Sequence, residues 1–136
     1  MGSNPMSPTS SILSSGTIKI MIIGIIGSRR RHTIEDLNLT REVFKKIYTL
    51  GDTIVSGGCP KGGDYFAEVI AREMKIPIKI HKADWSLGKH AGFLRNTDIA
   101  NDSDILIAVV ASDRLGGTED TIKKYLKQNK NNLILV

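Results

Sequence analysis

From Ile18 onward the chain keeps switching between two hydrophobic periods. The nearly unbroken apolar run "IKIMIIGIIG" predicts a first strand over residues 20–26, because a strand covered on both faces loses its polar alternation. Thr33 then reads as a helix N-cap with Asp36 three positions on. Leu37, Val43, Phe44, Ile47 and Leu50 follow at helical spacing until Gly51 ends the run. "TIVS" is a short buried strand. "GDYFAEVIAREMK" is a helix that turns Phe66, Val69, Ile70 and Met74 inward. "IPIKIH" gives strand three, a weaker helix covers 90–101, and "DILIAVV" gives strand four. Thr118 is the expected cap of a last helix, with Glu119 and Asp120 in its first turn and lysines in its final turns, as the helix dipole favours. "NLILV" is strand five.

Five strands alternating with four helices predict an α/β fold, an open parallel sheet with helices on both faces. Strands one and four, the most apolar, are expected at its centre. At 136 residues the chain suits one domain, read here as 18–136. Residues 1–17, "MGSNPMSPTSSILSSGT", hold little that could be buried and read as a disordered tail, part of it a cloning remnant.

Composition removes several function classes. The single cysteine, Cys59, excludes an internal disulfide framework and fits a reducing, cytoplasmic setting. The longest apolar run is about half a membrane span, so no membrane partner is expected. His32, His81 and His90 lack metal-ligand spacing, and neither a metal nor a cofactor is expected. The net charge of +5 favours anionic partners, and it is concentrated at Arg29–Arg31 and among the lysines from Lys123 to Lys130.

Candidate chemistry gathers where strands end. Gly27-Ser28-Arg29 follows strand one, "SGGCPKGGD" strand two, "KADW" strand three and "ASDRLGGT" strand four. That edge is where open α/β sheets bind ligands. The spacing is neither GxxxxGK[ST] nor GxGxxG. The physics is still available: Ser56, Gly57, Gly58, Gly62 and Gly63 lead into one helix, and Gly116, Gly117 and Thr118 into another. Helix N-termini offer free N–H donors to a phosphate. Arg29, nearest the strand end, is the expected phosphate ligand, while Arg30 and Arg31 read as solvated or peripheral. Asp64 reads either as a ribose or loop ligand or as a helix N-cap. Asp84 and Trp85 pose a similar choice, the indole covering either a base or the core. Arg95 and Asn96 read as a phosphate-orienting pair. Cys59 has no nearby histidine and is rejected as a nucleophile.

Together "GSR", "VSGGCPKGGD", "KADW", "GKHAGFLRN" and "GGT" resemble the SLOG superfamily, and within it the small YspA-type domains, over about residues 20–136. The resemblance implies a Rossmann-like fold, a nucleotide or nucleotide-derived ligand, and a homo-oligomer. Relatives include the LOG phosphoribohydrolases, which cleave the N-glycosidic bond of a nucleoside monophosphate, and the DNA-binding DprA proteins. On the hydrolase alternative Arg95 holds the substrate phosphate, and Asp120 or Glu119 supports the oxocarbenium-like charge. On the DprA-like alternative the basic faces make weak contacts to nucleic acid.

Overall fold

The computed structural model describes residues 19–136; the tail reading of 1–17 falls outside them. Its elements are β1 (Ile22–Gly27), α1 (Ile34–Ile47), β2 (Thr53–Ser56), α2 (Gly63–Met74), β3 (Ile78–Ile80), α3 (Ala91–Asp102), β4 (Ile105–Val109), α4 (Gly117–Leu126) and β5 (Leu133–Leu135), with a 3-10 turn at Trp85–Leu87 before α3.

All five strands are parallel, in the order β3-β2-β1-β4-β5. The chain builds outward in one direction from β1 through β3, then crosses back to place β4 on β1's other side. Ile25 faces Ile107 in that central pairing. The strand alternation sorts two cores. Ile23, Ile25, Ile54, Ile105, Ile107 and Val109 meet α1 and α2 through Phe44, Phe66 and Ile70. Ile26, Val55, Leu106 and Ala108 meet α3 and α4 through Ile99, Ile122 and Tyr125. Helices therefore cover both faces of a Rossmann-like sheet, and the central strands carry apolar residues on both sides.

Two boundaries differ from the pattern. The first helix stops at Ile47, and Leu50 is 89% exposed instead of continuing its apolar face. The cause lies in Asp52. Its carboxylate accepts the N–H of Thr49 and that of Met21, which pulls the chain into a turn and onto the start of the sheet. The last helix is capped not by Thr118 but by Gly116, at φ +119°, a conformation that suits glycine. Thr118 lies within the first turn. At α1 the expected cap is present: Thr33 accepts from the Asp36 N–H while the Asp36 carboxylate accepts from the Thr33 N–H.

One glycine places the second helix. A Cβ added to Gly63 would fall 2.1 Å from the Ile26 carbonyl carbon and 2.3 Å from the Gly27 nitrogen. The N-terminus of α2 thus rests directly on the end of β1, an approach no other residue permits.

Candidate functional site

Strand order reverses between β1 and β4, so the loops leaving these neighbouring strands diverge and leave a crevice. A cavity of about 390 Å³ opens there. Its floor is apolar, from Ile26 and Ile99. The β1 loop contributes Gly27, Ser28, Arg29 and Arg30; the start of α2 contributes Asp64, with Cys59 before it. Arg95 and Asn96 come from α3, and Leu115, Gly116, Gly117, Thr118 and Thr121 from the α4 end. Nine of the residues singled out from sequence therefore meet around one space: Gly27, Ser28, Arg29, Asp64, Arg95, Asn96, Gly116, Gly117 and Thr118.

The three consecutive arginines have three different fates. Arg29 is exposed, lines the cavity, and has no hydrogen-bond or ion-pair partner among the described residues. Arg30 forms a bidentate pair with Asp113, at 2.7 Å for each bond, and also donates to the Leu115 carbonyl. That pairing holds the Asp113 carboxyl down at about 2, with the Leu115 N–H adding to the effect. Arg31 corrects the reading of a solvated side chain. Its Nε donates to Asp36, and its Nη1 donates to the carbonyls of Val110 and Val136, each at 2.8 Å. It fastens α1 to the far ends of β4 and β5. His32 accepts the Gly62 N–H at 2.9 Å and stacks on Phe66.

The glycine loop after β2 is built differently from the expectation. Ser56, Gly57, Gly58, Gly62 and Gly63 are not part of the cavity wall. Close packing accounts for the glycines: a Cβ at Gly62 would meet the Ser28 carbonyl oxygen at 2.3 Å, one at Gly57 the Asp64 carboxylate at 2.7 Å, and one at Gly58 the Ile80 side chain at 2.7 Å. The loop is organised by Asp64, which is 7% exposed and lies inside α2 rather than capping it. Its Oδ2 accepts the Cys59 N–H at 3.1 Å, and the Ser56 hydroxyl approaches its Oδ1 at 3.1 Å. Burial pushes the Asp64 carboxyl above its ordinary value, against the opposing pull of the Cys59 N–H, Arg95 and Ser56.

Arg95 spends two donors locally, Nη1 on the Gly57 carbonyl at 2.8 Å and Nε on Asn96 Oδ1 at 3.1 Å. Asn96 in turn donates to the Gly117 carbonyl at 3.3 Å and to Asp120 at 3.2 Å. With its amide used on both sides, Asn96 positions Arg95 against the start of α4. The N-cap Gly116 supplies no side-chain bond to α4, and the first N–H groups of a helix have no intrahelical acceptor. Gly117 and Thr118 therefore present unpaired donors beside Arg29's loop.

Four other expected residues lie off the cavity wall. Asp84 caps the 3-10 turn by accepting the Ser86 N–H at 3.2 Å. Trp85 is 61% exposed and rests against Gly92 of α3, covering neither the cavity nor the core. Glu119 is held by Arg114 through a bidentate pair at 2.7 and 2.8 Å. Asp120 is held by Asn96 and, at 2.8 Å, by Lys124. Sequence reasoning missed Ile26, Arg30, Cys59, Ile99, Leu115 and Thr121 as wall residues. Thr121 was within reach, since it follows Thr118 by three positions on the same helical face.

Among the described residues no cluster of His, Cys, Asp or Glu could hold a metal ion, and no helix is long and apolar enough to cross a membrane. The fold and cavity define a Rossmann-like parallel α/β domain with a polar crevice at its topological switch point. A solved structure of similar fold is the molybdenum cofactor binding protein from the phototrophic bacterium Rippkaea orientalis. It is 21% identical with a TM-score of 0.63, and the match covers 88% of this chain and 77% of that one. That likeness is one of fold. No family model matches the chain, and no curated protein matches it.

Proposed function

We propose that the switch-point cavity binds a nucleotide or nucleotide-derived phosphate ligand, and that the chain is a small ligand-binding domain of SLOG type. One observation carries the reading. The Arg29 guanidinium, with no partner among the described residues, and the uncapped N-terminus of α4 line the same cavity. A guanidinium fork and a row of free N–H groups are the two devices proteins use most directly for phosphate. The order of the "GSR", "SGGCPKGGD", "ADW", "AGFLRN" and "GGT" motifs supports the family reading, and residence in the cytoplasm and self-association accompany it. A protein of similar fold described as cofactor-binding supports ligand binding by this architecture. Glu119 is paired with Arg114, Asp120 with Asn96 and Lys124, and neither carboxylate is on the cavity wall, so the reading is of binding without cleavage.

Thermal-shift and calorimetric titration test it, with inorganic phosphate, nucleoside mono- and diphosphates, ADP-ribose and cyclic dinucleotides as probes. A ligand bound only by the folded state raises the melting temperature in proportion to its occupancy. At least one phosphate-bearing probe is expected to bind, and Arg29→Gln to weaken it tenfold or more. Silence across the whole panel would overturn the reading. Release of free base from a nucleoside monophosphate would replace it with the hydrolase alternative.

A further inference from the structure

The two loops that diverge at the switch point are tied together again across the cavity mouth. Arg30 belongs to the cavity wall, yet both ends of its fork are taken by a carboxylate: Nη1 by Asp113 Oδ2 and Nη2 by Asp113 Oδ1, each at 2.7 Å. Asp113 is not itself part of that wall, and it sits on the loop after β4. Its Oδ1 also accepts the Leu115 N–H at 3.0 Å, which fixes the turn that carries it. A carboxylate thus occupies the bidentate seat that a phosphoryl group would otherwise take on Arg30.

A charge count shows what this leaves for a ligand. Arg95 is committed to Gly57 and Asn96 and stands beside the Asp64 carboxyl, while Arg30 is neutralised by Asp113. What remains is Arg29 and the helix start at α4, a helix end being equivalent to about half a positive charge. The sum is roughly one and a half positive charges, close to the about −1.5 to −2 of a phosphomonoester. A diphosphate brings more negative charge than that, and Arg30 is a further guanidinium on the wall that would meet it if released from Asp113.

We propose that Asp113 is a specificity-determining residue: by holding Arg30 it limits the cavity to a single phosphoryl group and disfavours diphosphates. The inference rests on the reading of the cavity as a phosphate site. Asp113 acts through Arg30 and is a positioning residue.

Asp113→Asn is the informative change. It keeps an Oδ1 acceptor for the Leu115 N–H but places an amide NH₂ against the Arg30 Nη1, where two donors repel. Calorimetry with AMP and ADP as probes reads the ratio of the two affinities, which a general loss of structure would not shift. The ratio is expected to move at least tenfold toward ADP in Asp113→Asn and to return toward the wild-type value in Asp113→Glu, which restores the charge. In an Arg30→Gln background, Asp113→Asn is expected to move the ratio less than threefold. If AMP binds but Asp113→Asn leaves the ratio unchanged, or lowers both affinities together, the role of Asp113 is overturned and the phosphate site stands. If no phosphate-bearing probe binds the wild-type chain, the site reading itself falls, and this inference with it.

Discussion

Replacing Arg31 by methionine keeps the aliphatic stem and removes one ion pair and two hydrogen bonds to main-chain carbonyls. The guanidinium reaches Asp36, Val110 and Val136, each at 2.8 Å, with side-chain exposures of 25% for Arg31 and 13% for Asp36. Hydrogen bonds to charged groups contribute about 1.5–3 kcal/mol when well buried. At a quarter exposure water replaces part of each, so about 1 kcal/mol apiece is a fairer value, or about 3 kcal/mol in all. That corresponds to a melting point lower by roughly 10 °C for a domain of this size. Arg29→Met, two positions away, is expected to change stability by less than about 0.5 kcal/mol. Urea unfolding followed by far-UV circular dichroism compares the three proteins at pH 7.

The pH dependence gives a second readout on Arg31. Burial would raise the Asp36 carboxyl, but the bonds from Arg31 and Thr33 outweigh it and hold the group below its ordinary value. A carboxyl lowered in the folded state contributes fully above its unfolded-state value near ~3.9 and loses that contribution as pH falls through the folded one. The gap between wild type and Arg31→Met should therefore narrow below about pH 4. An Arg31→Met protein within about 0.5 kcal/mol of wild type at pH 7, or an equal loss in Arg29→Met, would refute the anchoring role.

Three other outcomes follow from the same geometry. Gly63→Ala drives a methyl into the β1 backbone at 2.1 Å, and because main chain cannot yield as a side chain can, a loss above about 3 kcal/mol is expected in the same urea assay. Asp64 has a raised carboxyl, so the folded state holds its proton more tightly than the unfolded state, and stability should fall as pH rises from the ordinary carboxylate range through the folded value. Asp64→Asn should flatten that segment of a stability-against-pH curve; an unchanged slope would assign it to another group. Thr33→Ala removes one half of the α1 capping box and should cost about 1 kcal/mol, with hydrogen exchange accelerated in the first turn of α1 alone.

Much of this molecule was legible along the chain because its signals are local. Short apolar runs and helical spacing located the five strands and four α-helices of the described residues, and the polar clusters after the strands do lie at the carboxyl edge of the sheet. Two departures from the pattern trace to contacts made across the fold. Leu50 looked like one more helical apolar position, but Asp52 draws the chain out of the helix to reach Met21. Gly57, Gly58, Gly62 and Gly63 looked like a phosphate cradle, and a glycine demanded by packing is identical in sequence to one demanded by a ligand. Here α2 pressing on β1 and its loop supplies the demand at Gly62 and Gly63, while Asp64 and Arg95 crowd Gly57 and Ile80 crowds Gly58.

The three consecutive arginines, Arg29 to Arg31, divide what each level of description decides. The sequence alone determined an α/β chain with a parallel sheet, a basic cluster at the exit of its central strand, and the position of that exit on the carboxyl edge of the sheet. These follow from side-chain periodicity and from the fixed direction of parallel strands. Which arginine is free was decided only by tertiary structure. Arg31 finds its carbonyls 79 and 105 residues away, and Arg30 finds its carboxylate 83 residues away. A guanidinium's role depends on whether its donors are already satisfied, and here the Asp113 partner of Arg30 and the carbonyl partners of Arg31 arrive only when the sheet brings distant loops together.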